Sequence, residues 1–132
     1  MGRLNNAGPT ITSLRIADNT LTNTDDITIY VSGSDPSGLG SISLNFIKEN
    51  NGGDFWVSAN PFDNATSVSD YAITVPIKLD GAKEEGTYEL RQIYWQDADK
   101  SSINSTRLFD DSSFISSLSS EHSEVIISHD NI

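Results

Sequence analysis

The sequence predicts an all-β fold: a two-layer antiparallel sandwich of about seven to nine strands with one short helix near the C-terminus. Three observations carry this. Apolar residues recur with period two almost everywhere before residue 110. Turn-forming Gly, Pro, Asn and Asp residues interrupt that pattern at short intervals. One long segment, residues 86–99, reads as a sandwich strand running into carboxylates.

Taken in order, Thr10 to Ile16 is a first strand with Ile11, Leu14 and Ile16 inward, closed by a turn at Asp18 and Asn19. Asp26 to Ser34 is a second, burying Ile27, Ile29 and Val31. Asp35-Pro36-Ser37-Gly38 is a turn by composition, since Pro presets φ and Gly accepts a positive one. In Ser41 to Ile47 the residues Ile42, Leu44 and Phe46 alternate inward against Ser41, Ser43 and Asn45. After the Gly52-Gly53 loop, Phe55-Trp56-Val57 is a short edge strand, and residues 58–69 form a polar loop. Tyr71, Ile73, Val75, Ile77 and Leu79 make the cleanest alternation in the chain. Pro76 lacks a donor and so places that strand near a sheet edge.

The long stretch Gly86 to Asp99 puts Tyr88 and Leu90 on one face and delivers Asp97 and Asp99 to a loop tip, but the step from Leu90 to Ile93 is three residues. A bulge around Arg91 and Gln92 must restore the phase before Trp95. Ser105 to Phe109 and Glu124 to Ser128 supply closing strands. Between them, Asp110 or Asp111 caps a short helix whose Phe114, Ile115 and Leu118 fall at helical spacing.

A chain of 132 residues is the size of one domain and long enough to bury a core without covalent help. The expected domain spans residues 4–132, with residues 1–3 a disordered or appended start. No cysteine is present, which points to a reducing compartment or to an extracellular bacterial protein with other staples, such as bound cations. Eight basic and 19 acidic residues give a net charge of -11 and a pI near 4.2. That balance disfavours nucleic acid and anionic membranes as partners. No apolar run approaches the roughly 20 residues of a membrane helix, and Met1-Gly2-Arg3-Leu4 has no signal-peptide core, so any export signal is expected on a parent chain.

About seven strands at this spacing fit an Ig-like or fibronectin-type sandwich. Asp35-Pro36-Ser37-Gly38-Leu39, Gly86-Thr87-Tyr88-Glu89-Leu90 and Asp97-Ala98-Asp99-Lys100 resemble the Ig-like modules of large secreted or surface bacterial proteins, including calcium-rich adhesins. The closing stretch from Thr106 to Val125 resembles them too. Such modules often read Asp-x-Ala-Gly-Asn after this strand, whereas this chain has Asp97-Ala98-Asp99-Lys100-Ser101. The resemblance implies a noncatalytic, extracellular or cell-surface binding or spacer module whose partners are neighbouring modules of a parent chain.

Two candidate sites follow. In Ig strand order the loops carrying Asp35, Asp63, Asp97 and Asp99 leave one pole, and calcium takes six to eight oxygens of the kind these carboxylates offer. The same acids also suit turns, where Asp caps nearby backbone N–H groups. The opposite pole carries Asp18, Asp25, Asp26, Asp54, Asp80, Glu84 and Glu85, read chiefly as solvated surface. Phe55 and Trp56 on an edge strand, with Phe62 and Tyr94 nearby, are the second candidate, a sugar-stacking surface binding cell-surface glycan. That is the alternative function, a carbohydrate-binding accessory domain of a secreted hydrolase. The structural alternative for Trp56 is a rim or core residue, and for Trp95 a core residue. An acidic immunity or inhibitor protein is a third possibility. Asn64-Ala65-Thr66 and Asn104-Ser105-Thr106 match a glycosylation pattern too short to carry weight.

Catalysis is not expected. His122 and His129 are the only histidines, both near the C-terminus, and there is no Gly-rich phosphate loop and no His pair at metal spacing.

Overall fold

The computed structural model describes residues 9–49, 53–77, 85–98, 106–109 and 117–128. Nine strands and one short helix are present among them: β1 (Thr10–Ile16), β2 (Thr20–Thr22), β3 (Asp26–Ser34), β4 (Leu39–Lys48), β5 (Asp54–Ala59), β6 (Ser67–Pro76), β7 (Gly86–Asp97), β8 (Thr106–Phe109), α1 (Ser120–Ser123) and β9 (Glu124–Ser128). They form two sheets. One has three strands in the order β1-β3-β6, and the other runs β2-β9-β7-β4-β5 with β8 also paired to β7.

The alternation read from the sequence sets which face of each strand is buried. Ile27, Ile29 and Val31 of β3, Ile42, Leu44 and Phe46 of β4, Tyr88, Ile93 and Trp95 of β7 and Val125 of β9 are fully buried between the sheets. Two strands keep this facing only by slipping register. In β1 the slip falls between Ile11 and Ser13, so that Ile11, Leu14 and Ile16 all point inward. In β7, Leu90 opposes Phe46 and Gln92 opposes Asn45, leaving Arg91 as the extra residue of a bulge. The bulge also divides the far edge of β7: Gly86 to Glu89 pairs with β9, and Ile93 to Gln96 pairs with β8.

Aromatic side chains fill both ends of the interior. Phe55 stacks on Phe46 with centroids 4.9 Å apart and meets the Tyr88 ring at 5.5 Å. At the end where β3 finishes, Phe62 lies between Tyr71 at 5.2 Å and Trp95 at 5.4 Å. The Tyr71 hydroxyl donates to the Pro61 carbonyl at 2.9 Å and ties the loop after β5 to β6. Opposite Trp95 stands Gly33 of β3. A Cβ there would come within 2.6 Å of the indole ring and 2.5 Å of the Thr10 carbonyl oxygen, so only glycine lets the two sheets close at this point.

Three features differ from the sequence reading, and the span expected for the helix falls largely outside the described residues. Strand β2 was not anticipated, because three residues are too few to show alternation, and it pairs with β9 in parallel, so the sandwich is not wholly antiparallel. The helix described is Ser120–Ser123. The expected helix start and most of its length, residues 110–116, lie outside the described residues, and Leu118 falls in the turn before α1. Val75 is only partly buried, because β6 is an edge strand of the three-stranded sheet, as Pro76 implied.

Leu44→Ala is expected to cost about 2 to 5 kcal/mol, since Leu44 is fully buried between both sheets. Gly33→Ala should cost roughly 1 to 3 kcal/mol by overpacking against Trp95. Denaturant unfolding measures both. A Gly33→Ala protein as stable as the wild type would show that the sheets do not meet as closely here as described.

Candidate functional site

The three loops expected at one pole do meet there. Asp35 N–H donates to the Thr66 carbonyl at 2.9 Å, Leu39 N–H to Ala65 at 2.8 Å, and Ala98 N–H to Gly38 at 2.9 Å. Gly38 closes the turn by donating to the Asp35 carbonyl at 2.9 Å with φ of 97°. A side chain on Gly38 would fall 2.9 Å from the Asn64 carbonyl oxygen, so the loops interlock at backbone distance.

The carboxylates within this arrangement do different things. Asp35 is buried, and its Oδ1 accepts the Ser37 N–H at 2.8 Å, the bond of an Asx turn. Asp97, the last residue of β7, pairs with Leu39 and is fully buried. Asp63 and Asn64 have φ of 55° and 62°, a left-handed pair that reverses the loop, and both are exposed. Asp99 lies outside the described residues. Among the described residues, no group of three or more His, Asp or Glu side chains is placed to hold a metal ion. Asp35, Asp63 and Asp97 thus share a pole without forming a calcium ligand set by themselves.

The aromatic candidate divides in two. Adjacent strand residues face opposite ways, so Phe55 is in the core at 5% exposure while Trp56 stands on the outer face at 47%. Phe62, expected as a neighbour of Trp56, is a core residue as well. Tyr94 is the neighbour that reaches Trp56, with ring centroids 5.9 Å apart and planes inclined by 39°. Register explains the meeting. Across β5, β4 and β7 one row reads Trp56, Asn45, Gln92 and the next reads Ser58, Ser43, Tyr94. The rings lean toward each other over β4, whose outward residue between them, Ser43, is small.

Polar groups frame the pair. Ser58 Oγ donates to Ser43 Oγ at 3.0 Å, and Asn45 Nδ2 donates to Asp54 Oδ2 at 3.1 Å. Ser43, Asn45 and Ser58 were absent from the expected site. Their signal was present, since Ser43 and Asn45 occupy the outward phase of β4, but their placement beside Trp56 depends on a register that only the folded chain fixes.

Of the histidines, His129 lies outside the described residues, and His122 is structural in its contacts. Its Nδ1 accepts the Ile16 N–H at 3.1 Å and fastens α1 to the end of β1. No helix among the described residues is long and apolar enough to cross a membrane.

No family model matches the chain, and no curated protein matches it. Among solved structures, its fold is similar to part of Cwp6 from Clostridium difficile, with a TM-score of 0.61 and 14% sequence identity. The match covers 88% of this chain and 17% of that protein, so the chain spans about a sixth of its structural neighbour's length. At that identity the likeness is one of fold: an all-β domain of two sheets that also occurs as one part of a much longer bacterial protein.

Proposed function

We propose that this chain is a noncatalytic, Ig-like spacer module of a larger secreted or surface bacterial protein, working outside the cell between neighbouring modules. The observation that carries the reading is the placement of the first and last strands. Thr10, which opens β1, pairs with Ser34 at the pole of Asp35 and Asp97. Ser128, which closes β9, accepts the Asn23 N–H at 3.0 Å beside Thr22 and Asp25, at the other pole. The first strand therefore starts at one end of the sandwich and the last strand finishes at the other, the arrangement a spacer would use. The long axis follows the 12-residue β7, about 40 Å at strand rise.

The likeness to a stretch covering 17% of a long bacterial chain supports the same reading, as does a cysteine-free, acidic composition suited to a solvated extracellular surface. Two copies joined in tandem are expected to have a maximum dimension about 40 Å greater than one copy, measured by small-angle X-ray scattering. A pair folded side by side, with little gain in length, would refute the spacer role.

Calcium belongs to this proposal as a staple at the Asp35 and Asp97 pole, completed by residues beyond the described carboxylates. Binding to the folded state alone raises stability by about 2.7 kcal/mol when the free ion is at a hundred times its dissociation constant. The melting midpoint should therefore rise in millimolar calcium relative to chelator, and Asp97→Asn should remove most of the rise. Equal midpoints in the wild type would leave Asp35 as a turn former and the core as the source of stability.

A further inference from the structure

We propose that the outer face of the larger sheet is a binding site for neutral polysaccharide, with Trp56 and Tyr94 as its stacking surface. A spacer needs no such face, so this inference goes beyond the role proposed above and stands or falls separately.

Among the described residues the large apolar side chains left exposed are Trp56 and Ile126. Ile126 lies on β9, across β7 and β4 from Trp56, and a single exposed aliphatic residue is ordinary on a protein surface. Trp56 differs because a second aromatic ring sits against it at 5.9 Å and because the same two rows of the sheet present the neutral polar side chains of Ser43, Ser58 and Gln92, while Asn45 between them is buried with its amide bonded to Asp54 and the Phe55 carbonyl. Two rings framed by neutral hydrogen-bonding groups match the two surfaces of a pyranose, an apolar face of C–H bonds and a rim of hydroxyls.

Charge and size separate this ligand from the others that stack on aromatic rings. Nucleic acid bases stack equally well, but their phosphates would meet a domain of net charge -11, with the Asp54 carboxylate at the edge of the patch. The same charge opposes uronic acids and other anionic sugars. A protein partner needs on the order of 1,000 Å² or more of buried surface with an apolar centre, and two rings among serines and amides do not supply that centre. The planes of Trp56 and Tyr94 differ by 39°, so they offer two inclined surfaces to successive sugar residues of a twisted chain and not one flat surface to a crystalline lattice.

The test is titration of the intact domain with neutral hexasaccharides, α- and β-linked, of glucose, mannose, galactose and N-acetylglucosamine, followed by calorimetry and tryptophan fluorescence. Trp95 is fully buried, so a ligand-induced fluorescence change reports on Trp56. At least one neutral oligosaccharide is expected to bind, and Trp56→Ala to weaken it about tenfold, the loss of one aromatic stack. Trp56→Phe should recover part of the affinity, and all variants should keep the wild-type melting midpoint. Polygalacturonate, an anionic control, should not bind. Absence of binding to every neutral hexasaccharide at millimolar concentration would overturn the proposal, as would binding indifferent to Trp56→Ala or a Trp56-dependent dimer in sedimentation.

Discussion

The contact between Trp95 and Gly33 sets the geometry on which the rest of this domain depends. Trp95 is fully buried on β7 in the larger sheet, and its ring lies where a Cβ on Gly33 of the smaller sheet would have to be. Burying an indole of roughly 200 Å² contributes about 5 kcal/mol by area. The indole Nε1 is buried with no hydrogen-bond partner among the described residues, a cost of about 1 to 3 kcal/mol. Packing therefore outweighs the unmet bond, and the side chain stays in the core despite its polar atom. Phe62 continues the same aromatic layer and brings the loop after β5 over the end of the sandwich.

That closure determines what the acidic pole can be. With Phe62 and Trp95 beneath it, the pole is built from interlocked backbone, Asp35 to Thr66 and Gly38 to Ala98. Asp35 spends one carboxylate oxygen on Ser37 N–H inside this framework, whereas Asp63 sits at a left-handed, exposed turn position. Acids that look equivalent in sequence thus carry different burdens. Two are held in buried positions by the fold, and one faces water.

Strands whose inward residues alternate without interruption were legible from the sequence: β3 and β9 were expected with the bounds they have, and the Leu90 to Ile93 misphase located the β7 bulge to within a residue. What escaped was whatever depends on pairing. Strand β2 exists because it lies along β9, and three residues carry no period of their own. Val75 has the inward phase of a core residue but belongs to an edge strand, where one side lacks a covering neighbour. The aromatic face was legible only in part. Alternation alone separates Phe55 from Trp56, yet pairing both with Phe62 and Tyr94 required knowing that the loop after β5 folds over the interior while β7 lies two strands away from β5. The shared pole of the three acidic loops was easier to foresee, because strand order fixes loop ends even when it leaves side-chain directions open.

The poles and the aromatic face lie on different sides of the sandwich, so the two proposed roles would not compete for the same surface. Because β1 starts and β9 finishes at opposite ends of the sandwich, modules joined as proposed would meet the loops there and leave the broad side of the larger sheet open. Trp56 and Tyr94 stand on that side, and both are supported from behind by core residues of the same strands, Phe55 and Val57 on β5 and Ile93 and Trp95 on β7. A ring mounted on strands so anchored loses little freedom when a ligand stacks on it, which lowers the entropic cost of binding. Repeating the module along a chain would repeat the face at intervals set by the length of β7, and weak single sites would then act together on an extended polymer. The strand length that sets the reach of the proposed spacer would thereby also set the spacing of the proposed binding faces.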